Sequence, residues 1–310
     1  MTTAGMPITT ATRVRAAIRL LRPHQWSKNV LVFAGLLFAK DRHDAQSLTL
    51  AITAFVAMSL VSSTIYVLND LLDVGRDRLH PVKRNRPIAS GVVSTQLAVA
   101  LLIACLACGA GLSLALPRAA QAVILIYVAM QIAYNFGLKR TPIADVFCIA
   151  SGFVLRAALG AAAIGAEISG WLLLCTGALA LLVGFGKRRH EFVLMGEGRG
   201  QSRESLGGYT LEALNGMILT AAASAMMCYG IYAMESPTAK LHPALILTTL
   251  FVAYGIYRYL LLLFGQDEGG EPEMLFVRDR HMIAALVGFV LTAVLAMSIH
   301  GVPMLDQGGK

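Results

Sequence analysis

Residues 47–68, SLTLAITAFVAMSLVSSTIYVL, run without a single charge and stop against NDLLDVGRDRLHPVKRNRPIASG, residues 69–91. An apolar run of about 20 residues is what a helix needs to cross the hydrocarbon of a bilayer. Comparable spans recur at 29–44, 92–115, 117–136, 143–164, 170–186, 210–233, 242–264 and 281–300. With 47–68 they make nine helices, the first of them short and interrupted, so that eight stays open. A transmembrane barrel would instead show alternating segments of about ten residues. Only 14% of the residues are charged and 56% are hydrophobic, too little charge for the surface of a soluble domain of this size. The expected fold class is therefore all-α, a polytopic transmembrane helical bundle. Small residues in CLACGAGLSLAL (105–116) and ALGAAAIGA (158–166) would let its helices approach closely.

The cations order the bundle. With the N-terminus in the cytoplasm, the inward connections carry nineteen of the 26 Lys and Arg, and the outward ones only Lys40, Arg42, Arg118, Lys240 and Lys310. Positive charge stays inside during insertion, which predicts N-in, C-out and an odd number of spans. It also puts the longest connections, 69–91, 187–209 and 265–280, at a cytoplasmic mouth where function is expected. Residues 1–12 read as a disordered tail, 13–302 as one membrane-embedded domain and 303–310 as a short C-terminal tail. VRAAIRLLRPHQW (14–26) reads as an interfacial amphipathic helix with Trp26 at headgroup depth. A signal peptide is the weaker reading, for lack of a small-residue cleavage site. The five Cys lie in apolar spans, and the C-x-x-C of Cys105 and Cys108 reads as packing. The net charge of +8 suits an anionic leaflet, with no aromatic-interleaved basic motif to suggest a nucleic-acid partner.

At about 100° per residue, Asp70, Asp73 and Asp77 fall within a helical sector of about 60°. Carboxylates so placed repel one another unless a cation joins them. Hard oxygens at this density suit Mg²⁺ completed by substrate phosphates, with Asn69 as a further oxygen. The plainer alternative is a solvated helix end, but idle carboxylates directly after an apolar span are costly. Lys83, Arg84 and Arg86 follow at once, as a polyphosphate ligand requires. Topology alone would account for their presence but less well for their position. Tyr134 and Lys139 in YNFGLKR, Lys187, Arg188 and Glu191 in GKRRHE, Lys28 in PHQWSKN, and Arg278 and Asp279 repeat the pattern at other inward ends. Lys187 and Glu191 stand at i, i+4 and can pair. Arg156 lies inside a predicted span and should face an anion. Arg258, among Tyr254, Tyr257 and Tyr259, reads as structural.

NDLLDVGRD resembles the NDxxDxxxD motif of the UbiA superfamily of membrane prenyltransferases, and HPVKRNRPIASG and YNFGLKR resemble its continuation and its Tyr- and Lys-bearing segment. Family members that use a prenyl diphosphate carry a second Asp-rich motif after the sixth helix. Here that loop is GKRRHEFVLMGEGRGQSRESL, and no Asp occurs between Asp145 and Asp267. With RPHQWSKN and GGEPEMLFVRDR, this departure resembles the decaprenyl-phosphate phosphoribosyltransferase branch. That resemblance implies a bacterial inner-membrane enzyme moving 5-phosphoribose from phosphoribosyl diphosphate to a polyprenyl phosphate, for decaprenyl-phosphate arabinose and cell-envelope glycans. It implies Mg²⁺ held by Asp70, Asp73, Asp77 and Asn69. Lys28, Lys83, Arg84, Arg86, Tyr134 and Lys139 would hold the donor phosphates; Arg156, Lys187 and Arg188 the acceptor phosphate; Glu191, Arg278 and Asp279 would support them. One metal cluster among many cations also fits a donor and acceptor with three phosphate positions. A homo-oligomer stays open. The rival readings are a prenyl transfer to an aromatic or tetrapyrrole acceptor, and a transporter, which would show broken helices and a midplane ion site.

Overall fold

The computed structural model describes residues 10–38, 44–79, 83–167, 170–195, 204–265 and 278–298, which are mostly helical. The helices are α1 (Thr10–Leu21), α2 (Ala34–Phe38), α3 (Ala45–Leu72), α4 (Val74–Leu79), α5 (Thr95–Leu114), α6 (Arg118–Phe136), α7 (Ala144–Ile164) and α8 (Gly170–Met195). They continue with α9 (Leu211–Glu235), α10 (Pro237–Leu241), α11 (Thr248–Gly265) and α12 (Arg280–Ser298). Among the described residues eight helices are long and apolar enough to cross a membrane: α3, α5, α6, α7, α8, α9, α11 with the 3-10 turn before it, and α12. Polar side chains start several of them. Asp44 accepts from the Ser47 amide at 2.6 Å, Ser94 from Leu97 at 3.2 Å and Thr210 from Ala213 at 3.2 Å, each filling a donor that a helix N-terminus leaves open.

The span expected over 29–44 takes a different form. It is a 3-10 run, Pro23–Phe33, followed by the five-residue α2, and 39–43 lie outside the described residues. Its polar residues explain why. Asn29, fully buried, donates to Ser59 at 3.0 Å, and the Trp26 indole donates to Ser63 at 3.0 Å. Side-chain bonds to α3 thus hold this stretch. The interfacial helix expected from Val14 begins earlier, at Thr10, while 1–9 and 299–310 lie outside the described residues.

The chain divides into two compact units: Met1–Leu37, Asp41–Asn135 and Ala158–Ala166 in one, Phe38–Lys40, Phe136–Ala157 and Glu167–Lys310 in the other. In the first, α3 packs along α5, and Leu20, Val67, Ile88, Val93 and Ala98 form a core beneath the 87–93 loop. In the second, α8 packs along α9, with Leu182, Phe185, Leu214, Ile218, Ile256 and Leu262 at its centre.

Backbones meet most closely in the first unit, where a Cβ on Gly160 would overlap the Val32 carbonyl and one on Gly35 would meet the Ala161 amide. Lipid is as apolar as a helix side chain, so such close approach is a main source of helix association. Gly160→Ala is expected to lower the melting temperature in detergent by several degrees. Gly111→Ala, with no atom within 4 Å of the added methyl, should leave it unchanged or raise it. Equal shifts in the two variants would refute the packing role.

Candidate active site

The end of α3 places Asn69 and Asp70 side by side at one end of the first unit. Asp73 leaves helical geometry at φ −94°, ψ 3°, yet the ladder is carried past it: the Asp73 amide bonds Asn69 O and the Asp77 amide bonds Asp73 O, both at 2.9 Å. Asp70 and Asp77 therefore stay within reach of one guanidinium. Arg86 Nη1 donates to Asp70 Oδ1 at 3.0 Å and to Asp77 Oδ2 at 2.7 Å, while Arg22 Nη2 donates to the same Asp70 oxygen at 2.6 Å. Both carboxylates are buried, at 3% and 4% exposure. Two arginines converging on one oxygen hold the acidic end of α3 as a charge-assisted network.

Above it opens a cavity of about 300 Å³ lined by Arg19, Arg22, His24, Asp70, Lys83 and Arg86, with Asn85 and Pro87 completing the wall. Three arginines, a lysine and a histidine thus share the lining with one carboxylate. The three-carboxylate metal cluster expected from helical spacing is not gathered in that form: no group of three His, Cys, Asp or Glu able to hold an ion occurs among the described residues. Arg86 bridges Asp70 and Asp77 instead, and Asp73 is half-buried at the end of α3. The oxygens nevertheless fit a hard cation. Asn69 Oδ1 is buried without a hydrogen-bond partner, an uncommon condition that a ligand or ion would relieve. It neighbours Asp70 in sequence, giving amide and carboxylate oxygens of the kind Mg²⁺ takes.

Of the other expected donor residues, Lys83 and Arg84 are exposed on the 3-10 turn Lys83–Asn85, Lys28 is half-buried in the 3-10 run, and Tyr134 is half-buried near the end of α6. In the second unit, Lys139 lies on the turn Leu138–Arg140 and Lys187 is exposed on α8. Arg188 departs from expectation. It is only 2% exposed; its Nε donates to Asp145 Oδ2 at 2.8 Å and its Nη1 to Glu191 Oε2 at 2.5 Å. Glu191 is thus partnered at i, i+3 by Arg188. Asp145, itself fully buried, also accepts from Ser205 Oγ and Tyr209 OH, both at 3.1 Å. Burial pushes the Tyr209 hydroxyl up to about 12, so it remains a donor at neutral pH. It also accepts from the amide of Ile143, a β-branched residue at φ 67°.

Arg156, 5% exposed and about 18 Å along α7 at 1.5 Å per residue, donates to Gly152 O at 2.7 Å and lies 5.7 Å from the Phe153 ring centre. Arg258 and Asp279 form a two-point pair at 3.1 and 2.7 Å, and its hydrogen bonds hold the Asp279 carboxyl down at about 2. That agrees with a structural Arg258. Arg278 is exposed.

The UbiA prenyltransferase family model matches residues 29–278, four-fifths of the chain. The chain belongs to the UbiA prenyltransferase family. Among its UbiA-family relatives, a decaprenyl-phosphate phosphoribosyltransferase of Corynebacterium glutamicum is 35% identical over 290 residues, covering 91% of this chain and 86% of that protein. A Mycobacterium tuberculosis protein of the same name is 34% identical over 294 residues, covering 93% and 96%. A solved UbiA homolog from Archaeoglobus fulgidus, bound to GPP and Mg²⁺, shares the fold with a TM-score of 0.68 at 18% identity, covering 92% of this chain and all of that one. The all-helical UbiA fold and a multi-pass membrane protein are thereby established.

Sequence reasoning left Arg19, Arg22, His24 and Asp145 out of the site residues. The partner of Arg22 lies 48 positions away, so no local spacing could reveal it. For Asp145 there was a faint signal: it is the last Asp before a gap reaching to Asp267.

Proposed function

We propose that this UbiA-family transferase moves 5-phosphoribose from phosphoribosyl diphosphate to a polyprenyl phosphate such as decaprenyl phosphate, releasing diphosphate. The observation that carries this reading is the cavity in which Arg19, Arg22, Lys83, Arg86 and His24 surround the single carboxylate Asp70. That imbalance suits a donor with two separate phosphate groups better than a prenyl diphosphate, whose other end is hydrocarbon. The names of the relatives at 34–35% identity supply the acceptor and the sugar phosphate.

In this proposal Asn69 and Asp70 would hold Mg²⁺, with Asp73 next in the motif and Asp77 fixed by Arg86, and the bound ion would neutralise the diphosphate and improve it as a leaving group. Lys83, Arg84 and Arg86, with Lys28 and Tyr134, neutralise and orient the donor. The C1–O bond to diphosphate breaks as a bond forms from C1 to an oxygen of the lipid phosphate, with oxocarbenium character between. A phosphate monoester is largely dianionic at neutral pH, so no side chain needs to remove a proton. Lys139 is assigned to the donor and Lys187 and Arg156 to the acceptor phosphate. Arg188 is reassigned to structure, because Asp145 and Glu191 hold it away from solvent. The excess of Lys and Arg on the connections assigned to the inside supports a cytoplasmic N-terminus and site in a bacterial inner membrane.

The test is purified protein with labelled phosphoribosyl diphosphate, decaprenyl phosphate and Mg²⁺. Label is expected in the lipid fraction; chelation should abolish the incorporation and added Mg²⁺ restore it. Incorporation untouched by chelation would refute the metal assignment. A protein that instead joins a prenyl diphosphate to an aromatic acid would refute the transfer.

A further inference from the structure

Three of the side chains lining the cavity, Arg19, Arg22 and His24, come from a segment that precedes the family match, which begins at residue 29. Asp70, Lys83 and Arg86 come from inside it. The wall of this cavity thus joins the end of α1 and the turn that follows to residues inside the matched region.

The turn is shaped for the purpose. Arg22 sits at φ 53°, ψ 55°, a left-handed conformation that a residue with a side chain rarely takes. It also precedes Pro23, whose ring further disfavours helical geometry in the residue before it. Such a backbone persists only where surrounding contacts over-determine it, and such residues cluster at functional sites. Here the contacts are explicit. The Arg22 amide bonds Arg19 O at 3.2 Å, and Gln25 N bonds Arg22 O at 2.9 Å. The guanidinium reaches Asp70 at 2.6 Å while lying 5.1 Å from the centre of the Tyr66 ring. Arg19 lies in the last turn of α1 and His24 in the first turn of the 3-10 run, on either side of this reversal, and both line the cavity containing Arg22.

The charges within the cavity divide. Arg22 and Arg86 both bond Asp70, and Arg86 bonds Asp77 as well, so these two are coupled to the acidic end of α3. Arg19 and His24, both exposed, line the same cavity from the segment just before the matched residues. A phosphate monoester would find a guanidinium and an imidazole there in addition to the arginines tied to Asp70.

We propose that Arg19 and His24, positioned by the left-handed turn at Arg22, form the subsite for the phosphate on the donor's sugar. They set this chain's preference for a sugar-phosphate donor, while the residues tied to Asp70 meet the diphosphate. The inference rests on the phosphoribosyl-transfer reading above and adds the residues that select the donor.

The test compares two labelled donors, phosphoribosyl diphosphate and ribosyl diphosphate without the 5-phosphate, each with decaprenyl phosphate and Mg²⁺. Wild type should favour the first. Arg19→Ala, at an exposed position, should raise KM for phosphoribosyl diphosphate about tenfold or more with kcat little changed, and should use ribosyl diphosphate as wild type does. His24→Ala should shift the same preference in the same direction. Arg22→Gly, which suits the left-handed backbone but removes the guanidinium, separates the turn from the side chain. It should retain most of the preference for the sugar phosphate while losing kcat. Arg19 and His24 variants that lose activity on both donors equally, or that keep the wild-type preference, would overturn the subsite. Wild-type protein that transfers label from neither donor would overturn the underlying reading instead.

Discussion

Asp70→Asn is expected to reduce phosphoribosyl transfer by about 10³-fold, the scale on which removing a charged group acting directly on the reacting phosphates is felt. The substitution keeps shape and one oxygen, so what it removes is charge. That charge is the point on which Arg22 and Arg86 converge at 2.6 and 3.0 Å, and it adjoins the unpartnered amide oxygen of Asn69. The effect on folding should be far smaller. Arg22 and Arg86 are 22% and 26% exposed, so each can turn part of its charge to water, and Arg86 keeps Asp77 at 2.7 Å. A loss of about 1 kcal/mol is the appropriate scale for such partly screened pairs. Initial rates and thermal unfolding measured on the same preparation therefore separate the two consequences. An Asp70→Asn protein that melts like wild type and retains a tenth or more of its rate would remove Asp70 from the catalytic centre.

What the sequence could disclose depended on the range over which each feature is determined. Span boundaries follow from local hydrophobicity, and 117–136 and 143–164 reappear as Arg118–Phe136 and Ala144–Ile164. The span expected to end at 186 instead continues to Met195, because the charges that seemed to end it are taken inside: Arg188 by Asp145, and Arg189 by Asn215 and the Leu263 carbonyl, both at 3.0 Å. A buried charge with a distant partner looks in sequence like a charge meant for water. The acidic motif was legible because its members are one turn apart, but helix geometry alone overstated their gathering: Asp73 leaves the helix and Arg86 stands between Asp70 and Asp77. Arg86 as the bridge between Asp70 and Asp77, and Arg22 as the second guanidinium on Asp70, required the 3-10 run and the loop before α5 to fold back onto α3. Nothing periodic encodes that return.

Breaking the Asp145–Arg188 pair should give the largest loss of stability in the chain. At 0% and 2% exposure neither charge can reach water, and removing one partner of such a pair typically costs about 3–5 kcal/mol because the other is left buried and uncompensated. Asp145→Asn and Arg188→Met will nevertheless differ. In Arg188→Met the carboxylate keeps the Ser205 and Tyr209 hydroxyls at 3.1 Å, both neutral donors. In Asp145→Asn the guanidinium keeps Glu191 at 2.5 Å, a full countercharge that is 22% exposed. The two singles thus leave different charges short of a partner, and both should melt well below wild type. The double variant should recover part of the loss, since two neutral side chains leave no buried charge uncompensated. Both singles should fall by on the order of ten degrees in detergent at these free energies. The Asp145 network also fixes the Ile143 turn that follows Lys139 and Arg140, through the Tyr209 hydroxyl. Tyr209→Phe, which removes one hydrogen bond to Asp145 but leaves both charges of the pair in place, should therefore lower stability less than either single. A double variant melting below both singles would mean that these residues contribute separately, and the charge pair would not be what holds the 204–209 loop to the start of α7.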